Sequence, residues 1–204
     1  MASEAGRPGL HPNPPGDLVT YPLPLLTTAQ PWFRIYRQRY KPLHFGKSGD
    51  NRFDLPGGES GVLYVAADEV GAFIETLGHA TGTRVITISA LRSRAVAEIH
   101  VQTPLRLVDL TGPGLAHLGA DERLCTGEYT IAQRWSLALF RHPEKPDGLC
   151  YRSRHDPGRV CAAIYQRAAK QLRIDRQVGL GDREAVWLLG TLQRLYAFLI
   201  DDTQ

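Results

Sequence analysis

The sequence predicts an α+β fold in which a bent, mostly antiparallel sheet carries flanking helices. Short runs rich in β-branched and aromatic residues recur along the chain, beginning with WFRIYRQ at 32–38 and VLYVA at 62–66. Runs with helical spacing of apolar residues occur among them, the longest at 128–140 and 182–199. The length of 204 residues favours a single folded domain.

The composition is that of an ordinary soluble globular protein, with 43% hydrophobic and 22% charged residues. The formal net charge of +3 is interspersed with acids, so an anionic ligand accounts for it as well as nucleic acid does. The three cysteines, Cys125, Cys150 and Cys161, form no CxxC pair and favour a reducing compartment. The chain shows neither a secretory leader nor an apolar run of membrane-spanning length, so we expect a cytoplasmic protein without a membrane partner.

The first half of the chain opens with a Pro-rich segment. Residues 1–30 lack periodicity and are expected to form a flexible arm, so that the domain proper spans 31–204. Alternation in the first strand places Trp32, Arg34 and Tyr36 on one face. A long Gly-rich loop at 41–61 follows, and loops of this length in compact domains are usually functional or disordered.

The strand at 62–66 is followed by a helix that Asp68 caps and that continues to about Gly78. Three further strands are predicted between residues 83 and 110, in TRVITISALRS, AEIHV and PLRLVDL. Helices follow near 112–118 and from Glu128 to Phe140.

The last part of the chain is predicted to contain two strands and a helix. The strands GLCYRS and VCAAIYQ are joined by a turn at 155–158. The helix runs from Asp182 to about Leu199, and its expected core stripe comprises Val186, Leu189, Leu192, Tyr196 and Leu199.

Glu75 is the sharpest candidate for a chemical role. It lies nearly opposite the apolar stripe of its helix, beside the small residues Gly71, Ala72 and Gly78, which let a ligand or a strand approach closely. The alternative is a solvated glutamate on an outer helix face, which is common.

Three further side chains have both a binding and a structural interpretation. Arg34, if interior, needs an anionic partner, and either a protein carboxylate or a ligand phosphate would serve. Arg52 can supply a second two-point phosphate contact or be a solvated loop arginine. Tyr64 is either a core residue or a platform for a ligand.

Ser153 shares a strand face with Tyr151 and His155. Ser153, His155 and Asp156 are too close along one extended segment to form a hydrolase triad, and no G-x-S-x-G elbow is present. Ser153 is therefore either a satisfied strand serine or a ligand-facing hydroxyl. The histidines show no metal-ligand spacing, and the Gly-rich stretches lack the P-loop lysine and the dinucleotide fingerprint, so neither a metal nor a bound cofactor is expected.

Taken together, these segments resemble the RES domain family, named for an arginine, a glutamate and a serine. The resemblance covers about residues 31–166 and rests on the arginine of WFRIY, the Asn51-Arg52-Phe53 loop, VLYVAADEVGAFIE and YRSR. The loop usually reads G-R-W-N in the family and reads N-R-F here.

The resemblance implies an ADP-ribosyltransferase-like fold and an enzyme that depletes NAD by cleaving its nicotinamide–ribose bond, with water or phosphate as acceptor. It implies catalytic roles for Arg34, Glu75 and Ser153, pyrophosphate binding by Arg34 and Arg52, and substrate binding by Tyr36, Tyr64 and Tyr151. NAD would be a substrate and not a cofactor.

The family's members are toxins of bacterial toxin–antitoxin pairs, which implies a helix-turn-helix antitoxin partner and a homo- or hetero-oligomer. Three alternatives stay open. The chain could be an ADP-ribosyltransferase that modifies a protein, a ligand-binding module without turnover, or a nucleic-acid binder that uses its arginine-rich second half.

Overall fold

The computed structural model describes residues 11–78, 82 and 84–201, and the predicted α+β fold with a bent, mostly antiparallel sheet is confirmed there. The strands are β1 Leu25–Thr28, β2 Trp32–Arg37, β3 Val62–Ala66, β4 Val85–Thr87, β5 Arg94–Val101, β6 Leu105–Leu110, β7 Gly148–Arg152, β8 Val160–Tyr165, β9 Leu172–Gly179 and β10 Leu199–Asp201. The helices are α1 Glu69–Thr76, α2 Ile88–Arg92, α3 Pro113–His117, α4 Arg123–Thr126, α5 Tyr129–Arg141 and α6 Val186–Tyr196. Short 3₁₀ turns lie at Leu18–Thr20, Pro56–Gly58, Gln166–Gln171 and Arg183–Ala185.

Eight strands form one sheet in the order β1-β6-β7-β8-β3-β2-β5-β9. Neighbouring strands are antiparallel except β6 and β7, which run parallel. The remaining strands, β4 and β10, form a small parallel pair.

The two faces of the sheet bury separate apolar clusters. Alternation along β3 sends Leu63 and Val65 into a smaller cluster that also holds Trp32 of β2 and Leu107 of β6. Because side chains from distant strands meet there, the sheet bends around this cluster. Helices α1 and α5 cover the opposite face, where Trp135 is fully buried in the larger cluster.

The centre of the sheet is only loosely closed. Strands β2 and β3 pair only at Phe33 and Ala66 within the described residues, whereas β2 pairs with β5 along its whole length. Gly46 of the long loop pairs with Val62 instead, through hydrogen bonds of 3.0 and 2.8 Å. The sheet therefore opens a gap between β2 and β3.

Helix α1 forms where the sequence predicts it. The side chain of Asp68 accepts a 2.6 Å hydrogen bond from the N–H of Gly71 and caps the helix. A Cβ atom on Gly71 would lie 3.1 Å from Cβ of Ala66, so this glycine lets the helix lie close against β3. The small-residue face of α1 is thus a site of close approach.

The N-terminal segment differs from its prediction, because its described part, residues 11–30, packs on the domain. Strand β1 pairs with β6, and Leu18 and Leu23 are buried. The Trp135 ring N–H donates to the carbonyl of Pro12 at 2.9 Å. These partners are at least 77 residues away along the chain, so local composition does not reveal them.

Three further segments also differ from their predictions. The strand expected in TRVITISALRS ends at Thr87, whose hydroxyl caps α2 by accepting from the N–H of Ala90 at 3.2 Å. Strand β9 was not predicted; it is an edge strand with many exposed polar side chains, so it lacks an apolar alternation. The stripe expected on the last helix is correct for Leu189, Leu192 and Tyr196, which belong to or pack against the larger cluster. It is wrong for Val186 and Leu199, which are exposed, and it omits the buried Leu188.

Across residues 11–78, 82 and 84–201, no helix is both long enough and apolar enough to span a bilayer.

Candidate active site

A cavity of about 780 Å³ occupies the gap between β2 and β3. Consecutive residues of both strands line it, Phe33 to Ile35 on one side and Tyr64 to Ala66 on the other. Its remaining walls come from the 40–52 loop, from α1, and from the ends of α4 and β7. The cavity thus lies where the sheet's ladder is interrupted.

Glu75 faces this cavity from α1, together with Ala72 and Thr76. The Ser153 hydroxyl donates a 2.5 Å hydrogen bond to Oε1 of Glu75. Among the cavity-lining residues that the structure describes, Glu75 is the only carboxylate. Its position is therefore that of a single fixed negative charge in the cavity wall.

Ser153 itself is buried and lies behind Glu75 and not on the cavity surface. Its oxygen also accepts hydrogen bonds of 3.1 Å from the N–H groups of His155 and Asp156. A hydroxyl has one hydrogen and two lone pairs, so all its capacity is used. The expected contact of Ser153 with a ligand is not what the structure shows; Ser153 positions Glu75.

The turn that holds Ser153 is braced by an ionic network. Arg159 donates to Asp156 at 3.3 Å and to Asp68, the cap of α1, at 2.9 Å. The Tyr196 hydroxyl of α6 donates to Asp156 at 2.5 Å. This hydrogen bond is the largest cause of the lowered pKa of Asp156. The network joins the turn of Ser153 to the start of the helix that carries Glu75.

Arg34 lines the cavity and is held by backbone carbonyls. Its Nη1 donates to the carbonyl oxygens of Pro42 and His44 at 3.0 and 2.8 Å. Burial lowers its pKa to about 10. None of the ion pairs among the described residues involves Arg34, so a protein carboxylate does not neutralise it there. Its charge is left for another anion.

Arg52 lines the same cavity and is 8% exposed. Its Nη1 donates to the carbonyl of Gly127 at 2.7 Å, and its Cζ lies 4.5 Å from the ring centroid of Tyr129. Its Nη2 is buried without a hydrogen-bond partner among the described residues. Burial is the main cause of its lowered pKa. An unpartnered buried N–H of a cation is costly, which fits a site that receives an anion.

The loop that carries Arg52 is organised by Asp54, which is 1% exposed. Its Oδ2 accepts from the N–H of Gly49 at 3.0 Å and from the N–H and side-chain amide of Asn51 at 3.2 and 3.0 Å. Its Oδ1 accepts from the hydroxyl of Tyr64 at 2.9 Å. The same hydroxyl accepts from the N–H of Phe53 at 3.0 Å. Tyr64 therefore anchors the loop, and its ring forms part of the wall.

Of the other two predicted tyrosines, Tyr151 lines the cavity and Tyr36 does not. Tyr151 lines the cavity, and its hydroxyl has no hydrogen-bond partner within the described part of the chain, so it can serve a ligand. Tyr36 is not among the lining residues; its hydroxyl donates to Gln177 of β9 at 2.7 Å and its ring is buried beside Ala95 and Ala97. The predicted binding role of Tyr36 is therefore corrected to a structural one.

The cavity is rich in cations. Lys47 and Arg154 line it together with Arg34 and Arg52. Cys125 also lines it, but burial raises the pKa of its thiol to about 12, which disfavours the nucleophilic thiolate at neutral pH. One carboxylate among four cations suits a ligand with several negative charges.

Sequence reasoning missed Asp54, Tyr129 and Arg154. Asp54 is two residues from Arg52, and the acidic residue after N-R-F was the signal that could have found it. Tyr129 meets Arg52 across 77 positions of the chain, and no local pattern reveals that contact.

Three comparisons relate the chain to known proteins. Residues 31–188 match the sequence profile of the RES domain. A protein of Sinorhizobium fredii named "probable toxin y4kH" is 31% identical over 94 residues, which make up 46% of this chain and 73% of that protein. A chain in the crystal structure of the M. tuberculosis MbcT–MbcA toxin–antitoxin complex superposes with a TM-score of 0.63 at 16% identity, over 81% of this chain and 90% of that one. The last likeness establishes the shared fold.

Proposed function

The chain belongs to the RES domain family, and we propose that it is a toxin-like enzyme that depletes NAD by cleaving the nicotinamide–ribose bond. The observation that carries this proposal is the Glu75 carboxylate, held by Ser153 in a cavity whose other charged walls are cationic. NAD combines the two features that such a cavity would select. Its pyrophosphate is anionic, and its reacting ribose becomes cationic during cleavage.

The proposed chemistry is breakage of the bond between ribose C1′ and the ring nitrogen of nicotinamide. The bonding electron pair leaves with nicotinamide and neutralises its positive charge, so the leaving group needs no proton. The ribose develops oxocarbenium character, which a fixed carboxylate stabilises. Water or phosphate then attacks C1′. Attack by water gives ADP-ribose and releases a proton, and attack by phosphate gives ADP-ribose carrying a phosphate on the same carbon.

The remaining residues bind and orient the substrate in this proposal. Arg34 and Arg52, which have no carboxylate partner among the described residues, would hold the pyrophosphate. The free hydroxyl of Tyr151 would contact the nicotinamide ribose near Glu75.

The toxin part of the proposal rests on the relatives, one of which is named a probable toxin. An enzyme that consumes NAD endangers the cell that makes it, so we expect a neutralising partner, a small helix-turn-helix DNA-binding protein. The fold neighbour comes from a toxin–antitoxin complex, which supports a partner of this kind. A carboxylate of the partner protein bound to Arg34 or Arg52 would block the cavity. An equimolar amount of the partner protein should therefore abolish NAD cleavage.

The proposal is tested by incubating the purified protein with NAD, with and without phosphate, and separating the products. Free nicotinamide is expected, with a sugar phosphate only if phosphate is the acceptor. The matched control is Glu75→Gln, purified and handled identically. An intact NAD pool with folded wild-type protein contradicts the enzymatic proposal.

Expression in bacteria tests the toxin part separately. Wild type should lower cellular NAD and then arrest growth, and Glu75→Gln should do neither at equal protein level. If growth stays normal although the purified enzyme cleaves NAD, the enzymatic part of the proposal holds and the toxin part is wrong.

A further inference from the structure

We infer that the stacked rings of Tyr40 and His44 form the platform for the purine ring of the dinucleotide. This inference rests on the proposed function. It gives a binding site to the adenosine half of NAD, which takes no part in the bond cleavage. It names the ligand class as a purine nucleoside diphosphate bound through stacking.

The two rings form a nearly parallel pair on the loop that walls the cavity. Their centroids lie 5.9 Å apart and their planes differ by 19°. Both residues line the cavity, and Tyr40 is 50% exposed. Arg39 adds a cation–π contact, with its Cζ 4.8 Å from the centroid of Tyr40. Exposed aromatic and guanidinium surfaces in a cationic groove are what proteins use to stack bases.

The platform is fixed to a phosphate-binding candidate. Arg34 donates to the carbonyl oxygen of His44 itself, and also to that of Pro42 two residues earlier. The stacked pair and the Arg34 guanidinium therefore form one unit. A base joined through its ribose to a phosphate on Arg34 would reach these rings without leaving the cavity.

A different part of the cavity wall, formed by Arg52, Glu75 and Tyr151, suits the reacting half of the ligand. Arg52 stacks on Tyr129, and both residues line the cavity together with Tyr151 and Glu75. A dinucleotide has two rings with a pyrophosphate between them. With the reacting ring beside Glu75 and phosphates on the arginines, the second ring falls to the loop of Tyr40 and His44.

The inference can be tested without catalysis, by calorimetric titration of the full chain with two fragments. ADP contains the purine half with its diphosphate, and nicotinamide mononucleotide contains the other half. Tyr40→Ala should weaken ADP binding by on the order of tenfold, since one stacked base contributes that much or more. Its affinity for nicotinamide mononucleotide should stay at the wild-type value.

Two further variants separate stacking from loss of structure. Tyr40→Phe keeps the ring and should bind ADP as wild type does. Tyr21→Ala, at an exposed tyrosine that is not among the cavity residues, is the matched control and should also leave ADP binding intact. GDP should bind within about tenfold of ADP, because stacking tolerates any base.

Unchanged ADP affinity in Tyr40→Ala would overturn the inference, and so would a wild-type chain that binds no ADP. Weaker binding of nicotinamide mononucleotide alone would also overturn it, by assigning the reacting ring to this loop. A chain that binds ADP through Tyr40 but leaves NAD intact would instead contradict the proposed reaction and keep the nucleotide site.

Discussion

Oγ of Ser153 lies 2.5 Å from Oε1 of Glu75, and the two residues are 78 positions apart in the chain. The contact joins the end of β7 to helix α1 and fixes the orientation of the carboxylate. Charge-assisted hydrogen bonds of this length are among the stronger ones in proteins. In the proposed reaction, the serine would therefore act on the substrate through the glutamate.

Replacing Glu75 with Gln is expected to lower kcat for NAD cleavage by about 10²–10³, because a fixed charge opposite a developing cation is lost. The amide oxygen can still accept from Ser153, so the fold and NAD affinity should persist. Steady-state kinetics and thermal melting are the measurements. Glu184→Gln, at an exposed glutamate outside the cavity, is the control. Wild-type turnover by a folded Glu75→Gln protein would refute the role.

Ser153→Ala should lower kcat by up to about 10², since a misplaced group near the reacting centre loses alignment. KM should change little, because Ser153 does not line the cavity. A rise in KM with an unchanged kcat would instead indicate direct contact with the substrate. Kinetics at saturating and limiting NAD distinguish these outcomes.

Arg52→Lys is expected to weaken NAD binding by roughly tenfold or more, because a compact ammonium cannot reach both the Gly127 carbonyl and a phosphate as the two arms of a planar guanidinium do. Calorimetric titration of NAD into the inactive Glu75→Gln background measures this. Arg141→Lys, at an exposed arginine paired with Glu59, is the matched control and should bind normally. Equal affinity of the two variants would mean that Arg52 does not hold the ligand.

Asp54→Ala should lower the free energy of unfolding by about 1–3 kcal/mol or more, because several buried donors lose their acceptor. If the protein stays folded, its KM for NAD should rise, since the loop of Arg52 loses its anchor. Urea unfolding and kinetics test the two effects. A stable variant with normal KM would show that the loop holds its shape without Asp54.

Tyr196→Phe should destabilise the protein by about 1 kcal/mol at neutral pH, because Asp156 loses a donor. The pKa of Asp156 is lowered in the fold, so this stabilisation is present above the ordinary carboxyl pKa of about 3.9 and is lost as pH falls further. The difference between wild type and variant should thus shrink below about pH 4. Urea unfolding over pH 3–7 measures it, and a pH-independent difference would contradict the assignment.

Local signals predicted the parts of the fold that local interactions form. The strand at 62–66 and helix α1 with its Asp68 cap match the structure, as does the face of α5 formed by Ile131, Trp135 and Leu139. The docking of the N-terminal segment depends on distant partners, such as Trp135 for Pro12, and composition alone predicted a flexible arm.

The candidate site shows the same division. Arg34, Arg52, Tyr64, Glu75 and Tyr151 were predicted together, and the structure places all five around one cavity. Ser153 lies behind Glu75 because of a hydrogen bond between distant segments, and Tyr36 of β2 is kept out of the cavity by its contact with Gln177 of β9. Their strand positions carry no information about those partners.

Because β2 and β3 pair only at Phe33 and Ala66 within the described residues, the cavity lies between two halves of the single eight-stranded sheet, one ending at β3 and the other beginning at β2. A ligand in the cavity contacts both halves of the sheet and can hold them together. Occupancy and folding stability then become linked, because anything that binds the folded chain alone stabilises it in proportion to RT ln(1 + [L]/Kd). If the chain cleaves its ligand, as we propose, this added folding stability is lost once the ligand is exhausted.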